Sequence, residues 1–195
     1  MIAIVDYGAG NVSSVKKAFE HLGASVQITA DPEAVRAADK ICVPGVGHFV
    51  RCAALNSGPR QSILDAVAAG RPFLGICVGM QWLFEGSTEA PDTPGAAMFS
   101  GSCSRFPATV KSPHVGWNRI ESCGASKLLR GAGDHAFVYY THSYRAPVIP
   151  ETVAKTSYGG DFSAVVERGN IFAVQFHPEK SGKAGLAMLE NFCAI

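Results

Sequence analysis

The chain has 195 residues, of which 47% are hydrophobic and 17% charged, and its formal net charge is +1. These values indicate a folded globular protein and exclude an intrinsically disordered one. Lysine and arginine are scattered rather than clustered, which argues against electrostatic binding of nucleic acid or of an anionic membrane surface. We expect a single domain over residues 1–195.

The amino-terminal segment and the cysteines indicate the compartment. Residues 1–6 are apolar but lack a basic region and a small-residue cleavage site, so they do not resemble a signal peptide. No apolar run approaches the ~18 residues that a membrane span requires. We therefore expect a cytosolic protein whose six cysteines are free thiols. No two of them have the C-x-x-C spacing of a zinc or thioredoxin-like site.

The first half of the chain alternates predicted strands and helices. The predicted strands are residues 2–5, 25–29, 40–43 and 72–76, and the predicted helices begin near residue 12, at Asp31-Pro32, near residue 63 and at residue 78, the last continuing to residue 84. Alternating elements with short connections predict parallel strands joined by crossover helices that cover both faces of the sheet. In such sheets, sites form where the carboxyl ends of the strands meet loops.

The alternation stops near residue 86. A loop is predicted over residues 87–97, then strands at 103–110, 136–140, 153–157, 164–167 and 171–175, and a final helix at 182–193. The fold class expected is α/β, with an open, mostly parallel central sheet flanked by helices and additional antiparallel strands in the second half.

One cysteine differs from the other five. Cys77 lies between Gly75 and Gly79, after a predicted strand and before a predicted helix. This G-x-nucleophile-x-G pattern is typical of a nucleophile elbow, a tight turn that exposes a strained nucleophile and requires small neighbours. A helix start at this point favours the thiolate and offers backbone amides to an oxyanion, the first of them at Val78.

A nucleophilic thiol needs a base, and the base needs a group that orients it. Of the six histidines, only His177 follows a long apolar strand run, and Pro178 and Glu179 come directly after it. Residues two apart on an extended backbone face the same side, so the Glu179 carboxylate is expected to reach the His177 ring. The alternative for His-Pro-Glu alone is an ordinary surface turn.

Together these residues resemble the class I, or triad, glutamine amidotransferases, whose pattern is a G-x-C-x-G elbow followed much later by H-P-E. Four further blocks resemble one subfamily, the glutaminase subunits of imidazole glycerol phosphate synthases in histidine biosynthesis. These blocks span nearly the whole chain and are residues 6–11 (DYGAGN), 44–49 (PGVGHF), 113–118 (PHVGWN) and 141–144 (THSY). The G-x-G of residues 8–10 lacks the third glycine of a dinucleotide-binding fingerprint, because Ser13 stands there.

The resemblance implies roles for individual residues. It makes Cys77, His177 and Glu179 the catalytic triad, with Val78, Val46 and Gly47 at the oxyanion hole. The implied substrate-binding residues are Gln81, His142, Ser143 and Tyr144, and the implied partner contacts are Asn11, Trp117 and Asn118. For Asn11 the residues alone also allow a helix cap, and for residues 116–118 a turn with a core tryptophan.

The same resemblance implies the reaction and its partner. Glutamine would be hydrolysed through a Cys77 thioester without a metal or organic cofactor, and ammonia would pass through a tunnel to a (β/α)₈-barrel cyclase subunit in a heterodimer. The pair would make imidazole glycerol phosphate and an aminoimidazole carboxamide ribonucleotide. The alternatives are a glutaminase of another class I pathway, a non-catalytic regulatory subunit and a cysteine hydrolase.

Overall fold

The computed structural model describes residues 1–133 and 135–195. Within these ranges the strands are β1 (Ile2–Val5), β2 (Val26–Thr29), β3 (Lys40–Gly45), β4 (Phe73–Cys77), β5 (Gly86–Ser87), β6 (Ser102–Arg105), β7 (His114–Arg119), β8 (Glu121–Ser122), β9 (Phe137–His142), β10 (Tyr144–Arg145), β11 (Thr152–Ser157), β12 (Asp161–Arg168) and β13 (Ile171–Val174). The helices are α1 (Val12–His21), α2 (Pro32–Ala37), α3 (Cys52–Ser57), α4 (Arg60–Ala68), α5 (Val78–Gln81) and α6 (Gly182–Ala194). Two short 3₁₀ helices cover Phe49–Arg51 and Pro178–Lys180.

An eight-stranded sheet in the order β2-β1-β3-β4-β13-β12-β11-β8 forms the centre of the fold. The pairs from β2 through β13 are parallel, whereas β12 and β11 continue the sheet antiparallel. Strands β1, β4 and β13 are buried along their length, and β3 is buried after Lys40; all four are almost wholly apolar, as expected for parallel strands covered on both faces. Their carboxyl ends meet at one edge, which brings residues that are distant in sequence together.

Two smaller sheets lie beside this edge. Strands β10, β6 and β5 form one, and β7 and β9 form an antiparallel ribbon in which Trp117 pairs with Tyr139. Helices flank the central sheet: α1 and α6 meet through Phe19 and Phe192, whose rings are 6.1 Å apart, and α2 packs beside α4. No helix in the described ranges is long and apolar enough to cross a membrane.

The expected fold class is confirmed, and most predicted elements are present with shifted ends. The helix-start prediction at Asp31-Pro32 is also confirmed, because the Asp31 carboxylate accepts the Glu33 N–H at 3.0 Å. Strand β7, the two-residue strands β5, β8 and β10, and helix α3 were not predicted. The block at residues 116–118 is a strand, so its interpretation as a turn with a core tryptophan was wrong.

Two predicted elements end earlier than expected. Helix α5 stops at Gln81 rather than residue 84, because the returning segment takes the next carbonyls: Ala96 N–H donates to Trp82, and Met98 N–H donates to Leu83. The strand predicted at 103–110 ends at Arg105, since Phe106 is followed by Pro107, which has no N–H to donate to a ladder.

Candidate active site

Cys77 ends β4 with φ 53° and ψ −106°, a strained conformation for a residue that is not glycine. The flanking glycines make this turn possible. A Cβ on Gly75 would lie 2.8 Å from the Gly79 carbonyl oxygen, and a Cβ on Gly79 would overlap the Val43 carbonyl oxygen. The predicted requirement for small neighbours is therefore explained: a side chain at either position would clash with backbone atoms, which cannot rotate away. The Cys77 side chain lies at the end of the strand, 2% exposed.

His177 and Glu179 form a buried pair at the same sheet edge, following β13 beside β4. The His177 Nδ1 and Glu179 Oε1 atoms are 2.8 Å apart, and the two side chains are 1% and 0% exposed. The contact forms as expected, although the backbone after His177 is a 3₁₀ helix rather than an extended strand. Since the carboxylate can only accept, it holds the proton on Nδ1 and orients the ring.

The charge environment of His177 favours the imidazolium. Burial opposes the charged ring, but the Cys77 thiolate and the Glu179 carboxylate outweigh it and raise the pKa of His177 to about 10. The Cys77 sulfur is therefore close enough to the His177 ring for the charges of the two groups to interact. However, His177 Nε2 has no hydrogen-bond partner among the described residues. Because Nδ1 faces Glu179 and the ring is coupled to Cys77, Nε2 is the nitrogen that can exchange a proton at the thiol.

Gln175, which was not predicted as a site residue, donates a hydrogen bond to the sulfur of Cys77. It is fully buried, and its Nε2 donates to Cys77 Sγ at 3.7 Å. Its Oε1 accepts from Gln81 Nε2 at 3.1 Å, and Gln81 also donates to the Tyr144 carbonyl at 2.8 Å. The only signal in the sequence was one amide within the apolar run at 171–176. Gln81, expected to contact substrate, supports the thiol and the pocket wall through these bonds.

A cavity of about 270 Å³ opens beside the thiol. It is smaller than the roughly 300–1,000 Å³ of pockets for drug-sized ligands, so it suits a single amino acid. Its lining residues are Gly47, Cys77, Val78, Gln81, Glu89, Pro113, Thr141, His142, Ser143 and Tyr144. The residues expected to bind substrate are therefore all at this cavity. Glu89, within the loop predicted at 87–97, was not anticipated, and its Oε2 accepts the Phe49 N–H at 2.8 Å.

The predicted oxyanion residues lie on two sides of Cys77. The amide of Val78 is in the first turn of α5, where N–H groups have no intrahelical acceptor. Val46 and Gly47 follow β3, whose Gly45 pairs with Cys77 in the sheet, and Gly47 has φ 95°. Position 45 also requires glycine, because a Cβ there would overlap the Tyr7 hydroxyl and lie 2.7 Å from Val78 Cβ.

The three residues expected at a partner interface occupy different environments. Asn11 precedes α1 without capping it by its side chain; instead its Nδ2 donates to Glu179 Oε1 at 3.2 Å. Trp117 lies on the outer face of the ribbon, 56% exposed. Asn118 points to the inner face, where its Nδ2 is 3.3 Å from both His114 Nε2 and the Ser157 carbonyl oxygen.

Comparisons with known proteins identify the family of the chain. Residues 3–195 match the family model described as glutamine amidotransferase class-I. The imidazole glycerol phosphate synthase subunit HisH of Methanothermobacter thermautotrophicus is 46% identical, covering 100% of this chain and 98% of the relative. The subunit of the same name from Deinococcus radiodurans is 49% identical over 98% of this chain and 92% of its own.

Solved structures show the same fold at low sequence identity. The structure of PurLQS from Thermotoga maritima has a TM-score of 0.79 at 18% identity, covering 99% of this chain and 97% of that chain. A crystal structure of a glutamine amidotransferase has a TM-score of 0.77 at 18% identity, covering 99% and 100%. With the family model spanning residues 3–195, the chain belongs to the class-I glutamine amidotransferase family.

Proposed function

We propose that this chain is the glutaminase subunit of an imidazole glycerol phosphate synthase, which releases ammonia from glutamine for a cyclase subunit. The observation that carries the glutaminase activity is the strained Cys77 beside the buried His177–Glu179 pair, on the wall of an amino-acid-sized cavity. The synthase assignment is supported by relatives of that name at 46% and 49% identity over almost the whole chain. These relatives favour it over another class I pathway or a non-catalytic subunit.

The first half-reaction forms a thioester. The Cys77 thiolate attacks the carboxamide carbon of glutamine, and the carbonyl electrons move to oxygen, where the Val78 N–H stabilises the negative charge. The His177 imidazolium then gives its Nε2 proton to the leaving nitrogen as the C–N bond breaks. Ammonia departs, and a γ-glutamyl group remains on sulfur. The Nε2 atom of His177 suits this transfer, because no hydrogen bond from the described residues competes for it.

The second half-reaction regenerates the thiolate. Neutral His177 takes a proton from water at Nε2, and the resulting hydroxide attacks the thioester carbon. The C–S bond breaks, glutamate leaves, and the imidazolium–thiolate pair is restored. Throughout both half-reactions Glu179 holds the His177 ring by its 2.8 Å contact with Nδ1.

A second oxyanion donor is expected from the Val46–Gly47 segment. Gly47 lines the cavity and has a positive φ, which allows the peptide to take an orientation that other residues rarely adopt. We propose that this peptide turns its N–H toward the oxyanion when the partner binds. The isolated chain would then hydrolyse glutamine slowly, and the loaded cyclase would stimulate it.

The cavity contains groups that suit the amino-acid end of glutamine. Glu89 brings a carboxylate to the wall, which would pair with the α-ammonium group. The Tyr144 carbonyl already has two hydrogen-bond partners, Gln81 Nε2 and His142 Nδ1, each at 2.8 Å, which occupy both of its lone pairs. Among the described residues, the Ser143 carbonyl accepts only the Phe106 N–H, at 3.1 Å, and keeps one lone pair for a substrate. We therefore assign substrate contacts to the polar groups of the segment from His142 to Tyr144 other than the Tyr144 carbonyl.

The outer face of the β7–β9 ribbon is the proposed docking site for the (β/α)₈-barrel cyclase. It exposes Val115, Trp117 and Phe137 at 57%, 56% and 60%. The ribbon also contacts the base directly, because the Tyr139 carbonyl accepts the His177 N–H at 2.9 Å. A partner on this face would cover apolar surface and lie beside the site that makes ammonia.

The test is glutamate release from glutamine by the full chain, alone and with its cyclase subunit and the nucleotide ligand of that subunit. We expect strong, partner-dependent release that is lost in Cys77→Ala and kept in Cys123→Ala, which removes an exposed cysteine outside the cavity. Full activity without a partner would contradict the synthase assignment. No release under any condition would contradict the glutaminase itself.

A further inference from the structure

A chain of buried hydrogen bonds joins the ribbon to the cavity wall through two histidines. Asn118 Nδ2 lies 3.3 Å from His114 Nε2, and His114 Nδ1 lies 3.3 Å from His142 Nε2. His142 Nδ1 in turn lies 2.8 Å from the Tyr144 carbonyl oxygen. The two histidines are 4% and 7% exposed, so most of the surface of both rings is in contact with protein. His142 lines the cavity beside Cys77, whereas His114 lines a separate surface pocket with Trp117 and Asn118.

The Tyr144 carbonyl, the acceptor at the end of this series of hydrogen bonds, determines which nitrogen of each histidine carries the proton. A carbonyl can only accept, so His142 carries its proton on Nδ1 and its Nε2 is an acceptor. His114 must then donate from Nδ1, which leaves its Nε2 to accept from Asn118. The Asn118 orientation agrees, because its Nδ2 also donates to the Ser157 carbonyl and its Oδ1 accepts the Arg119 N–H at 2.8 Å. Each histidine has one neutral tautomer.

The surroundings hold both rings in this state. His114 is stacked between Tyr158 and Tyr140, with ring centroids 4.1 Å and 4.8 Å away. Burial lowers the pKa of His114 to about 4 and that of His142 to about 3, so both rings are neutral at ordinary pH. A neutral pair can keep one donor and one acceptor facing each other, whereas protonation of His142 would place two donors together.

The hydrogen bonds of the two histidines are connected to the thiol through the Tyr144 carbonyl. It accepts from His142 Nδ1 and also from Gln81 Nε2, and Gln81 continues through Gln175 to Cys77 Sγ. The cavity wall that faces the amino-acid end of a substrate is thus held by His114 through His142. Without the His114 bond, the buried Nε2 of His142 would lose its donor, and the ring would gain by turning away.

We propose that His114 is a positioning residue for glutamine binding: its bond to His142 holds the wall formed by residues 141–144 in the shape that accepts the substrate. This inference rests on the proposed glutaminase activity. His114 touches neither the substrate nor the thiol, so its loss should weaken reactions that use the pocket and spare reactions that need only Cys77.

The test compares two alkylating agents on the full chain in complex with its cyclase subunit and the nucleotide ligand of that subunit, with the rate followed at the Cys77 peptide by mass spectrometry. The glutamine analogue 6-diazo-5-oxo-L-norleucine must occupy the pocket, whereas iodoacetamide needs only the thiolate. His114→Phe keeps an aromatic ring between the tyrosines but removes the donor. His114→Asn restores a donor, because its Nδ2 takes the approximate place of His Nδ1. His21→Phe, on an exposed residue of α1, is the matched control.

We expect His114→Phe to slow analogue labelling about tenfold, the cost of one lost buried bond, with iodoacetamide labelling unchanged. His114→Asn and His21→Phe should label at the rate of the unmodified chain. Equal slowing in the Phe and Asn variants, normal analogue labelling in His114→Phe, or a parallel fall with iodoacetamide would each overturn the role of His114. Failure of the analogue to label Cys77 in the unmodified chain would overturn the proposed function instead.

Discussion

Gly79→Ala offers a sharp test of how the elbow is built. The added Cβ would overlap the Val43 carbonyl oxygen and would lie 2.8 Å from its carbonyl carbon and 3.3 Å from Val43 Cγ1. Two of these atoms belong to the backbone of β3, a central strand that cannot rotate away. Helix α5 must therefore move off the sheet. Overpacking of this kind typically costs ~1–3 kcal/mol, and we expect the upper end of that range.

Urea unfolding at equilibrium measures this cost, as a shift of the midpoint at an unchanged m-value. Gly124→Ala is the matched control, because its added Cβ would make ordinary contacts of 3.7 Å with Val153 and its φ is not positive. The control should stay within about 0.5 kcal/mol of the unmodified chain. If Gly79→Ala is equally harmless, the close approach of α5 and β3 is wrong. Glutamate release should fall with Gly79→Ala, since the Val78 amide moves too.

Three further results are expected. The pKa of His177 is raised to about 10, so the ion pair of this residue stabilises the fold fully below about pH 6.5. The free energy of unfolding should therefore fall as the pH rises from about 6.5 to about 10. His177→Gln should flatten this decline, and an unchanged slope in the variant would contradict the pairing. The pKa of His114 is lowered to about 4, so the free energy of unfolding should fall as the pH drops from about 6.5 to about 4. In His114→Phe this fall should be less steep. If urea unfolding gives the same pH dependence for the variant and the unmodified chain, the ring is not a neutral buried group. Asp31→Ala should cost ~1 kcal/mol in urea unfolding by uncapping α2, yet leave glutamate release unchanged; a loss of activity would show that α2 affects the site.

The parallel half of the fold could be predicted because each element there carries a local signal. Apolar runs mark the buried strands, and Asp31-Pro32 marks a helix start that the structure confirms. The ribbon strand β7 has no such signal, since Gly116 interrupts it and its outer face exposes Val115 and Trp117. Its identity as a strand depends on pairing with β9, which is separated in sequence and adjacent only in the fold.

The candidate site divides in the same way. The Cys77 elbow could be identified because backbone geometry there requires glycine at fixed spacing, and His177-Pro-Glu179 because the two partners are neighbours in the chain. Gln175 and Glu89 could not, because nothing near them in sequence shows that one bonds the thiol and the other borders its cavity. The early end of α5 could not be predicted either, because the N–H groups that bond the carbonyls just after the helix belong to a segment more than ten residues downstream.

The most direct test of the central claim is to trap the acyl intermediate. The chain with its cyclase partner is mixed with glutamine, quenched in acid within the first turnover, and digested for peptide mass mapping. We predict a γ-glutamyl thioester on the peptide that contains Cys77, and on no other cysteine peptide. Steady glutamate release with no adduct at Cys77, or release that persists in Cys77→Ala, would contradict the assignment of Cys77 as the nucleophile.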